Sequence, residues 1–255
     1  MAAILENVSA WLTAGIVGSL MLGGWGVGRW QGQRLKEMGN DGSARQLTDA
    51  TVAILGLLLA FTFSMSLTKH DQRRQMLVRH ANAIGDFYSC ASLLKDPVKT
   101  KLQGVIREYV QTMVKLGKEA QREKDVPEML RKNEAMHNQM LLLVKDAVDD
   151  GTPVVVPLVN TFNDVTSSHD ARMAAVRDRL PPSIVLLLCM AAIISMVLEG
   201  MHRGKPDERE FMATVGFILL VSMSLWVTLD LNQPQQGAIR VNQESMQRLL
   251  SSMSE

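Results

Sequence analysis

Cysteine is nearly absent from this chain. Cys90 lies in a charged region and Cys189 inside an apolar run, settings that argue against a bridge, so no disulfide framework follows. Charge of one sign is lacking too: 27 Lys and Arg stand against 26 Asp and Glu. That balance gives no electrostatic reason to expect nucleic acid. Catalytic signatures are missing as well, with no Walker loop, no Gly-x-Ser-x-Gly elbow and no zincin motif. Neither an enzyme nor a cofactor is expected. Two Glu-x-x-His pairs occur, Glu134/His137 and Glu199/His202. The first falls in a charged region and the second in a loop across the membrane, so they do not share a metal, and no metal site is assigned. No internal repeat or low-complexity segment appears.

What is present is segregation. The mean hydropathy of +0.05 looks unremarkable for a soluble protein, yet four uncharged apolar runs alternate with highly charged stretches. The run from Ala50 to Thr68 holds about 19 residues, enough for one crossing of the hydrocarbon core. It passes into Lys69–Gln75 with no Gly or Pro before Gly85, so a helix is expected to continue out of the membrane. The first run lacks a basic leader region and a small-x-small cleavage site and is read as a retained span.

These patterns predict an all-α membrane protein with four transmembrane helices and a helical-bundle extramembrane domain between spans two and three. The expected divisions are a transmembrane hairpin over 1–68 (spans 9–30 and 50–68), a bundle over 69–180, a second hairpin over 181–230 (spans 183–199 and 211–229), and a tail over 231–255. Span one is glycine-rich, which permits close helix approach in lipid. Its Gly23–Gly28 end superficially resembles a nucleotide loop but follows no strand. Trp11, Trp25 and Trp30 suit interfacial belts. A turn is expected at Gly39–Gly42, and Thr48 or Asp49 as the cap of span two. Pro181 and Pro182 open span three, where first-turn amides lack acceptors anyway.

The bundle divides at Pro97, Pro127 and the Asp149–Pro153 turn into four segments, each with apolar residues at helical spacing. The stripes include Leu77, Ile84 and Phe87, then Leu102, Ile106 and Tyr109, then Met136, Met140 and Leu143, and finally Leu158, Phe162 and Val165. The first and fourth segments are expected to be continuous with spans two and three, forming a rigid lever. His80 and His169 each lie about twelve residues from a membrane end, a rise of about 18 Å, and both fall on apolar stripes. They read either as an interhelical pair packed at one bundle layer or as a pH-sensing or metal-binding pair.

Within span two, Thr62, Ser66, Lys69 and Arg73 recur at helical spacing and give one face a polar edge. Such hydroxyls either bond back to their own helix or a neighbour or line a watery path. Phe61 and Phe63 are the bulky candidates beside them, although residues two apart sit about 200° around a helix and do not share one axis. The short loops carry Arg34, Lys36, Arg45, Arg203 and Lys205, while the first eight residues carry only Glu6. By the positive-inside rule the loops face the cytoplasm, placing the bundle and both termini on the periplasmic side of a bacterial inner membrane. Lys69, Arg73, Arg74 and Arg79 after span two, and Arg172, Arg177 and Arg179 before span three, weigh the other way.

Leu57–Met65 (LLLAFTFSM), Ala81–Gly85 (ANAIG), His169–Arg172 (HDAR) leading to Leu180-Pro181-Pro182, and Leu229–Val241 (LDLNQPQQGAIRV) resemble the bestrophin-like family of bacterial membrane proteins, a domain of unknown function, over nearly the whole chain. The resemblance singles out Asn82, Gly85, Asp170, Arg172, Pro181, Pro182, Asp230, Pro234, Gly237 and Arg240 as family-motif positions. The family name implies similarity to bestrophins, oligomeric anion channels with four spans and a helical region between spans two and three. It therefore implies a homo-oligomeric ion channel in a lipid bilayer, with inorganic ions as partners and span two lining the path. It also implies a cytosolic helical region, against the charge count. A bestrophin's acidic calcium clasp has no counterpart in this tail. The alternative function is a non-conducting membrane sensor or scaffold whose bundle binds a partner or ligand.

Overall fold

The computed structural model describes residues 9–36, 43–119, 126–202, 208–233 and 237–253. Among these the chain is all helix: α1 (Ala10–Lys36), α2 (Ser43–Ala91), α3 (Val98–Glu119), α4 (Val126–Asp149), α5 (Val155–Arg177), α6 (Pro182–His202), α7 (Glu208–Leu231) and α8 (Glu244–Ser252). Four helical stretches are long and apolar enough to cross a membrane: Ala10–Arg34, Gln46–Ala91, Val155–Met201 and Phe211–Leu231. At 46 residues the second far exceeds the roughly 20 needed for one crossing. Its uncharged part, 50–68, has about the length that one crossing needs. This is an all-α membrane protein with four transmembrane helices.

The chain forms two compact units. The first comprises Met1–Lys69 and Arg179–Ile239 and contains the apolar runs. Its core gathers Val17 and Met21 of α1, Leu55 of α2, Leu188, Ala192 and Met196 of α6, and Ile218, Val221 and Leu225 of α7. Glycine sets how closely α1 meets α6. A Cβ on Gly28 would run into the carbonyl of Val197, one on Gly32 into that of Met201, and one on Gly200 into that of Trp25. Lipid tails are as apolar as leucine, so helix association here rests on close packing, which only a missing side chain allows. Trp11 stacks on Trp226 with ring centroids 4.1 Å apart. Arg29 and Arg34 lie over the rings of Trp25 and Trp30.

The second unit comprises His70–Asp178 and Arg240–Glu255. Leu77, Ile84 and Phe87 of α2, Leu102, Ile106 and Tyr109 of α3, Met136, Met140 and Leu143 of α4, and Leu158, Phe162 and Val165 of α5 form one core. These are the apolar stripes read from the sequence. Met246 of α8 and Met253 join them, and an Arg107 Nη2 donates to the Met253 carbonyl. The α4–α5 turn needs glycine: Gly151 has φ +69°, a conformation costly for a residue with a Cβ.

Two local expectations are corrected. Helix α2 begins at Ser43, so Thr48 and Asp49 lie inside it and do not cap it. Ala44, Arg45 and Gln46 favour helix, which lets the span extend toward its N-terminus. The fourth bundle segment is not continuous with span three either. Helix α5 stops at Arg177, Asp178 is extended at φ −71° and ψ 103°, and α6 starts only at Pro182. Residues before proline disfavour helical backbone, so Leu180-Pro181-Pro182 breaks the rod. The turn at Gly39–Gly42, the first eight residues with Glu6, the loop residues Arg203 and Lys205, and Pro234 lie outside the described residues.

Candidate functional site

The most unusual polar arrangement lies inside the second unit. His80 is fully buried on the inner face of α2, placed there by the same spacing that buries Leu77 and Ile84. Its Nδ1 lies 2.9 Å from the Ser168 hydroxyl and its Nε2 3.2 Å from the Tyr109 hydroxyl. That phenol also lies 3.0 Å from His169 Nδ1. Tyr109 thus bridges two histidines from α2 and α5, whose rings are 5.6 Å apart. A third ring, His137 of α4, lies 6.5 Å from His169 and stacks on Phe162 at 5.1 Å. The Thr166 hydroxyl is 3.2 Å from its Nε2. His80 and His169 share a layer, and that layer holds a third histidine.

Beside it sits Arg172, buried on α5, with one Nη1 donating 3.1 Å to the Met113 sulfur. Burial pulls the His80 pKa down to about 3, and the neighbouring Arg172 charge adds to the effect. His169 is lowered by burial and by Arg172, partly opposed by Asp170. His137 is lowered by burial, again opposed by Asp170. Burial raises the Tyr109 phenol and lowers Arg172. At neutral pH the three rings are therefore uncharged and the guanidinium is the charge at the centre. A cavity of about 630 Å³ opens over this layer, with Tyr109, Asn133, His137, Thr166 and His169 among its walls and Glu134, Asp170 and Arg177 among its more exposed residues. Among the described residues no three His, Cys, Asp or Glu side chains converge as metal ligands. The side chain of His202 lies outside the described residues, so the Glu199/His202 pair has no geometry to add.

Span two divides the side chains expected along a path. Thr62 is 4% exposed and its hydroxyl bonds back to the carbonyls of Leu58 (2.8 Å) and Leu59 (3.1 Å). Ser66 is fully buried and its hydroxyl finds no partner among the described residues. Arg73 is 3% exposed and donates to the carbonyls of Ala175 (3.1 Å) and Asp178 (2.8 Å), serving the open C-terminal carbonyls of α5. Phe61 and Phe63 point outward, and Lys69 is half-buried.

The turn after α7 is organised by Asp230. Its buried carboxylate accepts from the Ala238 amide at 2.9 Å and the Ile239 amide at 2.8 Å. Asn232 Oδ1 accepts from the Leu180 amide at 2.7 Å, joining this turn to the lead-in of α6. The Bestrophin-like domain profile matches residues 14–246, which spans both units and this turn. The chain belongs to the bestrophin-like family.

Solved structures agree on the fold. A tyrosine-to-alanine variant of a bacterial bestrophin homologue from Klebsiella pneumoniae superposes with a TM-score of 0.71 at 12% identity, covering 94% of this chain and 98% of that one. A tryptophan-to-alanine variant gives 0.67 at 12% identity over 97% and 99%. No curated protein matches the sequence. The bestrophin-like motif positions scatter through the two units. Asp230 and Gly237 make the turn after α7, where a Cβ on Gly237 would meet the Asp230 and Gln233 carbonyls. Pro181 is exposed and Pro182 opens α6. Gly85 leaves room for Leu249 of α8, 3.3 Å from where its Cβ would stand. Asn82, Asp170 and Arg240 are exposed, whereas Arg172 is buried in the histidine layer. Sequence reading missed Tyr109, His137, Asn133 and Ser168 as parts of that layer. Tyr109 was legible only as an apolar stripe position, although it is one of just two tyrosines in the chain.

Proposed function

We propose that this bestrophin-like chain is the protomer of a homo-oligomeric ion channel in which span two meets the conduction path. Family membership and the bestrophin fold support the class, while fold alone does not carry function. The observation that carries the reading is the outer face of span two. In its most apolar stretch only 17% of the residues are buried, against 28% in each of the other three spans. Along the exposed side, Ala53, Gly56, Ala60 and Ser64 follow one another at helical spacing. Leu57 and Leu67 flank this stripe and Phe61 stands beside it. Small and polar groups flanked by apolar ones suit a path that is wide between narrow points, where bulky side chains gate by excluding water. On this reading Thr62, Ser66 and Arg73 are packed inside the protomer, and the outward side chains touch what passes.

Ser64 and Ser66 separate the possibilities, because they lie about 200° apart on one helix. Purified protein in liposomes is expected to pass anions, and Ser64→Leu to change that flux several-fold. Ser66→Leu is expected to lower folded yield while leaving the selectivity of whatever protein remains. No flux of any ion from demonstrably oligomeric protein sinks the channel reading. That outcome favours a non-conducting sensor or scaffold, for which Gly56, Ala60 and Ser64 form a small-residue contact between protomers around a dry axis.

The loop charges support an inner-membrane orientation with the bundle and both termini in the periplasm. A reporter active only in the periplasm is then active when fused after Glu255 and silent when inserted at Gly42. The reverse pattern assigns the bundle to the cytosol, as in bestrophins.

A further inference from the structure

We propose that the cavity between α4 and α5 binds a small aliphatic amine in its ammonium form, held by the open nitrogens of His137 and His169 and the carboxylates of Glu134 and Asp170. The proposal concerns the second unit alone and stands whether or not the chain conducts. All four side chains line the cavity. Its volume of about 630 Å³ lies within the usual range for small-molecule sites.

The hydrogen bonds beneath the cavity decide what the two rings offer it. The Ser168 hydroxyl donates to the Val165 carbonyl at 3.0 Å, so its contact with His80 Nδ1 needs the proton on that nitrogen. His80 Nε2 is then the bare acceptor, and the Tyr109 hydroxyl donates to it. The phenol oxygen accepts in turn from His169 Nδ1–H. A neutral imidazole carries one such proton, so His169 Nε2 is left with a lone pair. The same argument holds on α4. Thr166 donates to the Phe162 carbonyl at 3.1 Å, so His137 Nε2–H donates to Thr166 and His137 Nδ1 keeps a lone pair. Both rings are half-buried. Neither open nitrogen is sealed in the interior, and neither has a partner among the described residues. Burial lowers both histidines from their ordinary value, which keeps these lone pairs unprotonated at neutral pH.

The cavity thus presents four acceptors, two neutral and two charged. Its exposed donors are Arg177 and Asn138. The charges in its wall, Glu134 and Asp170 against Arg177, leave one negative in excess. Arg172 is turned to the Met113 sulfur and is not part of that wall. An ammonium answers with one positive charge and three N–H donors, and hydrogen bonds from a charged donor are about twice as strong as neutral ones. Leu130, Met173 and Ala174 add an apolar side for a short carbon chain. A metal ion is disfavoured, because among the described residues no three candidate ligands converge.

The test is thermal unfolding of the full chain in detergent at neutral pH. Butylammonium chloride is compared at equal ionic strength with butyltrimethylammonium chloride, which keeps the charge and the chain but has no N–H. Butylammonium is expected to raise the midpoint in a saturable way, because a ligand bound only by the folded state stabilises it by mass action. The quaternary ion is expected to do less. Asp170→Asn and Glu134→Gln change exposed side chains and are each expected to raise the half-saturating amine concentration several-fold. His137→Leu removes one lone pair and is expected to abolish the response. A rise that butyltrimethylammonium matches, or that both carboxylate variants retain unchanged, overturns the proposal. So does the absence of any saturable rise in the parent. A midpoint raised by zinc chloride and not by the amine assigns the open nitrogens to a metal and overturns it too. If His137→Leu fails to fold, the carboxylate variants and the quaternary ion decide alone.

Discussion

The two units solve the same problem, packing helices against helices, with opposite materials. In the first, backbone meets backbone: Gly28, Gly32 and Gly200 admit carbonyls where a methyl would collide. Several of its hydroxyls are spent locally, with Thr62, Ser224 and Thr228 each bonding a carbonyl one turn back. In the second, large side chains interdigitate, and a connected polar layer from four helices sits within them. With the second unit read as extramembrane, water explains the difference. Around the bundle it drives leucine and phenylalanine together, and that surplus can carry a buried polar network. Lipid offers no such drive, so close approach has to replace it.

The largest effect that bears on this contrast is expected from Gly28→Leu. Its side chain has no room against Val197, and the variant should fail to give folded, monodisperse protein in detergent. Gly104→Leu, at a bundle glycine with open space around it, should fold. If both behave alike, the two units do not differ as described.

Acid should act on the bundle. Burial holds the folded His80 pKa at about 3, against 6.5 in the unfolded chain. Above pH 6.5 both states are neutral there and the stability is fully present. Between 6.5 and 3 only the unfolded state takes the proton, so stability falls as pH falls, by about 1.4 kcal/mol per pH unit for this one group. His169 and His137, also lowered, act in the same direction. The groups facing His80 are Arg172, His169 and Ser168 from α5, Tyr109 from α3 and His137 from α4. None is a carboxylate that would hold a proton on it. His80 therefore does not charge in place within the folded bundle; acid draws the bundle open instead. Denaturant titrations from pH 7 to 5 should show this slope, and His80→Gln should shallow it by about one proton. An unchanged slope removes His80 from the account.

Tyr109→Phe is expected to cost about 1–3 kcal/mol, because it leaves His80 Nε2 and His169 Nδ1 without their shared partner inside the core. Equilibrium unfolding measures it. A loss below about 0.5 kcal/mol would mean that water replaces the phenol readily. The smallest effect belongs to Ser66→Ala, which removes a buried hydroxyl that has no partner among the described residues. Its melting temperature should be equal to the parent's or slightly higher.

The sequence by itself determined the class of this protein. Four uncharged runs, the apolar stripes of the bundle and the prolines at its breaks follow from local chemistry, since hydrocarbon thickness and helical period act on consecutive residues. Motifs such as LDLNQPQQGAIRV were legible as a family mark before the Asp230 carboxylate was seen to accept two amides. Only the tertiary structure decided which way the polar edge of span two turns. Periodicity places Thr62, Ser66 and Arg73 on one face but is silent on whether that face meets protein or solvent, and here it meets protein. The same holds for Tyr109, whose spacing marks a buried position without saying that two histidines wait at its hydroxyl. Arg172 reads as a surface charge until α3 and α4 close over it. A face is a property of one helix. A partner belongs to the packing of several, and no stretch of sequence contains it.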